Sequence, residues 1–195
     1  MASMTVTCFD NKGVEDFLTV GKSYAVISET FTTIRIVDDN GEKYHYDKMR
    51  FDPRLKKKKV YVIGSLRNPE IPAWAARIRD NGYEVFDDWF AAGPTADDSW
   101  KEYEQARGRK YRDAMKGYVA RHVFEFDKKH IDEADIGVLI LPAGKSGHAE
   151  LGYMKGQGKK CIIVLNSEAE RWDIMYNFFD HLVYDIDELM EALNA

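Results

Sequence analysis

Three uninterrupted apolar runs dominate the sequence: "VYVIG" at 60–64, "IGVLILP" at 136–142 and "KCIIVLN" at 160–166. A strand that is apolar on both faces needs cover on both faces, which helices supply when they alternate with the strands of a parallel sheet. The segments between the runs fit that role. "IPAWAARIRDNG" carries apolar residues at 71, 74, 75 and 78, with Pro72 in a first helical turn and Asn81-Gly82 as a stop. "YEVFDD" at 83–88 reads as a further strand, and helical segments follow between about Ser99 and Ala134, with breaks at Gly108 and Gly117. A helix from about His148, a helix near 169 to 180, the strand "HLVYD" at 181–185 and a last helix "IDELMEALN" complete the pattern. The expectation is an α/β protein with five strands in a doubly wound, Rossmann-like parallel sheet, whose ligands bind at the strands' carboxyl ends.

The first fifty residues follow another rhythm. "TVTCFD", "KSYAVIS", "TTIRIV" and "KYHYDKM" alternate apolar and polar side chains, and "DDNG" at 38–41 separates the last two. Asn-Gly between such runs predicts a hairpin, because both turn positions tolerate positive φ. These strands predict a small SH3-like β-barrel at residues 1–53, then a basic linker at 54–59, "RLKKKK", and the α/β domain at 60–195. So short a sheet is marginal alone. Tyr44 and Tyr46 are expected as exposed aromatics on it, available for packing or for a partner.

Charge and cysteine content narrow the class. With 28 Lys and Arg against 33 Asp and Glu, the net charge of -5 disfavours a polymeric nucleic-acid partner. Two cysteines, Cys8 and Cys161, lie in apolar runs without ligand spacing, so they read as reduced and buried, and neither a structural metal nor a cofactor is expected. No apolar run reaches the roughly 18 to 20 residues of a membrane span, and no basic-then-apolar leader is visible, so a cytoplasmic protein without membrane contact is expected.

Three segments leave the carboxyl ends of predicted strands with small or polar residues: "GSLRN" at 64–68, "DDWFAAGPTADD" at 87–98 and "PAGKSGHAE" at 142–150. A parallel sheet opens all three on one rim. "GSLRN" offers backbone N–H groups, a hydroxyl from Ser65 and a guanidinium from Arg67, a set suited to a phosphate, although it matches neither GxxxxGK[ST] nor GxGxxG. A glycine turn with a surface arginine explains it equally well. Glu150 falls in the expected first turn of the helix after "IGVLILP", where a carboxylate ordinarily complements the macrodipole. A capping box would need Ser or Thr at 147, which is glycine; the serine is at 146. Asp127, Asp132 and Asp135 precede the same strand. Lys145, His148 and Trp89 each have an ordinary reading as well: an exposed lysine, an incidental loop histidine and a packed indole. His122 and His130 fall in helical segments and receive no role.

Taken together, "VYVIGSLRN", "YEVFDDW", "FDKKHIDEADIGVLILP" and "SGHAELGYMKGQGKKCIIVL" resemble the nucleoside 2-deoxyribosyltransferase family, including its branch of 2-deoxynucleoside 5'-monophosphate glycosidases. The similarity spans about Val60 to Asn166. Its most specific element is an Asp eight residues before the "AD" aspartate, here Asp127 before Asp135, paired with the Glu of "ELG", here Glu150. The resemblance implies a flavodoxin-like sheet and no metal or cofactor. It implies attack by Glu150 on C1' of a deoxyribosyl group while Asp127 shuttles a proton to or from the base. Nearness to a helix N-terminus would keep Glu150 ionised. By the same resemblance Ser65 and Arg67 contact a 5'-phosphate in a turn shaped by Gly64 and Asn68, with Ser146 as a second phosphate contact and Lys145 nearby. Asp87, Asp88 and Trp89 hold base or sugar, and Gly147 and His148 lie beside the substrate. The implied partners are a small nucleoside or nucleotide and further copies of the chain, as a dimer or larger homo-oligomer. Two other readings stay open: a non-catalytic nucleotide sensor that uses the barrel to engage a partner, and a glycohydrolase of a ribonucleotide or NAD.

Overall fold

The computed structural model describes residues 4–168 and 172–195. The chain divides into two compact units, 1–57 and 58–195.

In the first unit, β1 (Thr5–Thr7), β2 (Ser23–Glu29), β3 (Thr33–Val37) and β4 (Lys43–Asp47) form a four-stranded antiparallel sheet in that order, consistent with an SH3-like subdomain. Its core holds Cys8, Leu18, Tyr24, Ile34, Ile36, Tyr46 and Phe51. The β3–β4 connection differs from a two-residue turn. Only Gly41 has positive φ, and the loop runs from Asp38, whose N–H donates to the Glu42 carbonyl, with the Asp38 carboxylate accepting from the N–H groups of Asn40 and Glu42. The same carboxylate accepts the Tyr46 hydroxyl at 2.8 Å. Tyr46 is therefore a core residue of its own unit, whereas Tyr44 is exposed. Alternation along β4 does not show which of two tyrosines two residues apart meets an internal aspartate; the loop's geometry decides it.

The second unit holds five parallel strands: β5 (Lys59–Ile63), β6 (Glu84–Phe86), β7 (Ile136–Ile140), β8 (Lys160–Val164) and β9 (His181–Val183). Their order, β6-β5-β7-β8-β9, reverses direction at β5, the flavodoxin-like arrangement with its crevice between the ends of β5 and β7. Helix α1 (Ile71–Asp80) buries the four apolar positions of its sequence period, Ile71, Trp74, Ala75 and Ile78, and ends at Asn81 and Gly82, whose φ is 93°. With α6 (Ile186–Asn194) it covers one face of the sheet. The other face is covered by α4 (Tyr118–Glu133) and α5 (Lys145–Gly156), through Ile131, Leu151 and Met154 against Tyr61, Ile63, Leu139, Cys161 and Ile163. Helix α2 (Ala96–Ala106) and the short α3 (Tyr111–Ala114) precede α4, separated by Gly108 and Gly117. Arg109, which follows α2, forms an ion pair of 2.5 Å with the buried Glu104.

Two expected helices change. Helix α5 starts at Lys145, three residues before His148, because Gly144 is extended and serves as the cap. Of the helix expected near 169 to 180, residues 169–171 lie outside the described residues, and Ile174–Phe178 forms a 3₁₀ turn.

Strand β6 is short, and its pairing with β5 ends at Tyr61 and Phe86. The Val62 carbonyl, beyond that point, accepts the indole N–H of Trp89 at 2.8 Å. A buried carbonyl without a partner costs about 1–3 kcal/mol, so Trp89→Phe, which keeps the ring and removes the donor, is expected to lower stability by about that amount. Urea unfolding checks it: the midpoint should fall while the slope stays constant.

Candidate functional site

Both carboxylates belong to helices on one face of the sheet. Asp127 lies one turn before the buried Ile131 on α4, so it faces the sheet, whereas much of the helix before it, including Val123 and Phe124, is exposed. Glu150 shares a face of α5 with Met154, four residues on, and with Gly147, three residues back. Gly147 is buried. A Cβ there would stand 3.0 Å from both Ile63 and Leu139, so the glycine lets the first turn of α5 lie directly on the ends of β5 and β7. That close approach is what brings Glu150 over the crevice.

The two acids are half-buried, and the charge of Asp127 acts on Glu150. Withdrawal from water pushes the Asp127 carboxyl up to about 6. The same withdrawal, with the charge of Asp127 added, pushes Glu150 up to about 7. This corrects the expectation of a fully ionised Glu150. The carboxylate lies in the second turn of α5, since the helix starts at Lys145, and the helix dipole's influence fades beyond the first turn, leaving burial to dominate.

The hydroxyl of Tyr61, on β5, faces the same pair. Its ring is buried, and its ionisation is pushed well upward by burial and then by the charges of Glu150 and Asp127, so it stays an O–H donor. Phe86 stacks on Tyr61 at 5.2 Å, and His130 stacks on Phe86 at 3.9 Å. Sequence reading passed over Tyr61 because it sits in an apolar run, where an aromatic counts as core. The available signal was its position: one hydroxyl in an otherwise aliphatic strand, three residues before Gly64.

At the end of β5, Gly64 admits Ile71, whose Cδ1 would collide with a Cβ. The following turn closes through Asn68 N–H to the Ser65 carbonyl at 2.9 Å and Arg67 N–H to Ser65 Oγ at 3.1 Å. Asn68 is buried, and its Oδ1 accepts from Glu70 N–H at 3.0 Å. Two of the backbone N–H groups of this turn, those of Arg67 and Asn68, are thus used within it. The Arg67 guanidinium reaches out to Asp98 at 2.8 Å. On α5, Ser146 lies one turn before Glu150 and is exposed, as is Lys145.

Asp87 is ion-paired with Arg79 of α1, and Asp88 is exposed in the 3₁₀ turn after β6. Trp89 packs against both core faces with its N–H committed to Val62. His148, two residues from Glu150, points away from that carboxylate's side of the helix. Its Nδ1 is 2.9 Å from the Gly144 carbonyl and must donate there, which leaves Nε2 to accept the Tyr176 hydroxyl at 2.8 Å in the neutral ring. It ties α5 to the Ile174–Phe178 turn. Among the described residues no group of three or more His, Cys, Asp or Glu side chains is arranged to hold a metal ion, and no helix is long and apolar enough to cross a membrane.

The fold is a flavodoxin-like domain, and it sets Asp127 and Glu150 on two helices that cover the same face of its sheet. No protein-family model matches the chain, and no curated protein does. Among solved structures the chain is similar to a 2-deoxyribosyltransferase from Bacillus psychrosaccharolyticus, at 20% identity and a TM-score of 0.46 over 67% of this chain and 89% of that one. It is also similar to a CMP N-glycosidase from Clostridium botulinum, at 16% identity and a TM-score of 0.42 over 71% and 100% respectively. Likeness of this degree assigns neither residues nor reaction.

Burial of Glu150 makes a test of the electrostatics independent of any substrate. Its folded pKa lies above the unfolded value, so the unfolded chain gives up the proton first, and stability falls as pH rises from about 4.5 to about 7. Glu150→Gln removes the ionisation. The variant is expected to match the parent near pH 4 and to exceed it above pH 7 by on the order of 2 kcal/mol, read from denaturant unfolding at both pH values.

Proposed function

We propose that this protein breaks the N-glycosidic bond of a 2'-deoxynucleoside or its 5'-monophosphate through a covalent deoxyribosyl ester on Glu150, passing the sugar to another base or to water. The observation that carries the reading is the coupled pair of Asp127 and Glu150, facing the Tyr61 hydroxyl on the sheet. Two carboxyl groups whose ionisations oppose each other share one proton over part of the neutral range, and the pair then offers one nucleophilic oxygen and one acid.

In the first step, of the two singly protonated forms, the one with its proton on Asp127 reacts, although Glu150 holds the proton more tightly in the free protein. A Glu150 oxygen bonds to C1', the bond from C1' to the base nitrogen breaks, and the Asp127 proton moves to the departing base. In the second step a base or water adds to C1', the ester bond breaks, and Asp127 takes the proton back. Dividing one displacement into two is the general advantage of a carboxylate nucleophile, and retaining glycosidases use the same division of roles. The Tyr61 O–H, which lies in the field of both carboxyl groups, is the donor that this reading assigns to the ionised member of the pair. At the rim, Arg67 and the Ser65 hydroxyl form the 5'-phosphate contact, with Ser146 and Lys145 on α5 as further polar groups. No residue here chooses between base and water as acceptor.

Incubation with a panel of deoxynucleosides and their 5'-monophosphates tests the assignment. Free base should appear for at least one member, and intact mass should show one sugar group on the parent protein and none on Glu150→Ala. Asp127→Asn should slow base release by about a hundred- to ten-thousand-fold while the protein stays folded. Complete absence of base release across the panel, or turnover unchanged in Glu150→Ala, refutes it.

The pH profile is a separate prediction. Because the reaction uses the singly protonated pair, kcat/KM is expected to be bell-shaped, with limbs set by the values of about 6 and about 7. Asp127→Asn should flatten the alkaline limb, and a profile that is level from pH 5 to pH 8 would rule out the shared proton.

A further inference from the structure

One ion pair joins the turn after β5 to the start of α2. Arg67 Nη2 lies 2.8 Å from Asp98 Oδ2, and the two side chains are 59% and 60% exposed. Each partner is placed by its own element. Asp98 stands with Asp97 in the first turn of α2, where an acidic side chain is favoured by the helix's positive end. The far end of that helix is fixed by the ion pair between buried Glu104 and Arg109. Arg67 is held by its N–H on Ser65 Oγ within a turn closed at Asn68. The same turn keeps an unmet donor, since Asn68 Nδ2 is buried and has no hydrogen-bond partner among the described residues. Asp98 is thus an anion already seated on the guanidinium that the turn presents.

We propose that Asp98 is a specificity-determining residue, a resident carboxylate that competes with the phosphate of an incoming nucleotide for Arg67. The inference rests on the reading of Arg67 as a phosphate contact. An exposed pair of this kind is worth only ~0.2–1 kcal/mol, so it yields to a phosphate, which offers the guanidinium two oxygens and more charge. Until it yields, it lowers the affinity for phosphate-bearing ligands and leaves uncharged nucleosides unaffected. Asp98 thereby narrows the gap between nucleoside and monophosphate that Arg67 alone would open. When phosphate takes the guanidinium, the Asp98 carboxylate is released to solvent at the end of α2.

Calorimetric titration of the full chain with inorganic phosphate decides the matter. Asp98→Asn should bind phosphate roughly 2- to 5-fold more tightly than the parent at low ionic strength, with the gain shrinking as salt is added. Arg67→Ala should abolish the gain, so that Arg67→Ala and the double variant bind alike. Asp97→Asn removes the same charge from the same helix end without touching the pair, and should change phosphate affinity less than about 2-fold. In turnover, Asp98→Asn should lower KM for a deoxynucleoside 5'-monophosphate at constant kcat and leave KM for the matching nucleoside unchanged. The proposal is overturned if Asp98→Asn binds phosphate like the parent, if the gain persists without Arg67, if Asp97→Asn reproduces it, or if no version binds phosphate. The expected phosphate pattern without base release from any version removes the glycosidic reading alone and leaves the competition at Arg67 standing.

Discussion

Two carboxyl groups drawn out of water beside each other are the constraint around which the α/β unit is built. Among the described residues neither is ion-paired with a cation; the charge of Asp127 acts on Glu150, and both act on the hydroxyl of Tyr61 on a buried strand. Isolated in an apolar setting, such groups lower their cost by holding a proton, and that is the direction in which both are pushed. The rest of the unit makes the arrangement affordable. A parallel sheet covered on both faces supplies the packing, and Gly147 lets α5 approach the strand ends without a side chain between. Asp127 and Glu150 are pinned by Ile131 and Met154, one turn further along their helices, so repulsion cannot move the acids apart without pulling core residues off the sheet.

A carboxyl pair in this state has chemical capacity that neither member has alone. A lone exposed glutamate is ionised at neutral pH, a weak nucleophile with no proton to give. Under the proposed reaction a pair that shares a proton supplies both functions, and the shifts of Asp127 and Glu150 come first from burial rather than from a lysine or arginine. This is also why the helix dipole is a poor explanation of Glu150. A group stabilised in its charged form by the first turn of α5 would have a depressed pKa, and the raised one shows desolvation outweighing that field.

Much of this was legible in the residues, and the boundary of legibility is physical. Apolar runs too short for a helix, rich in Val and Ile and followed by Gly, Pro or Asn, fit strands buried on two faces, so the sheet followed from "VYVIG", "IGVLILP" and "KCIIVLN", and the four buried positions of α1 follow its period of 3.6. Asp127 and Glu150 were singled out by a resemblance in spacing, and the structure sets them on two helices of one face. Their titration could not be read, because desolvation depends on what packs above a group. Contacts made by side chains from distant segments were equally hidden. Nothing local to Trp89 says that β6 stops short and leaves the Val62 carbonyl in need of a donor. Nothing local to Asp87 announces Arg79, eight residues earlier on another element. The contact of His148 with Tyr176 belongs to the same class, since it joins α5 to a turn 28 residues further along the chain.

Charge is sorted along the rim in a way that bears on what the crevice admits. Asp127 and Glu150 stand on α4 and α5, while the cations Arg67, paired with Asp98, and Lys145 stand on the turn after β5 and at the start of α5. A ligand that carried its negative charge to Asp127 and Glu150 would meet two carboxyl groups with no cation to offset them. A ligand with a neutral, oxygen-rich centre and its charge at one end meets the opposite: polar groups able to share a proton at the centre and guanidinium at the end. A sugar joined to a base satisfies the first condition, and a 5'-phosphate the second. Under the proposed reaction the separation is also needed kinetically, because positive charge developing at the anomeric carbon is favoured by the carboxyl pair, whereas a cation placed there would oppose it.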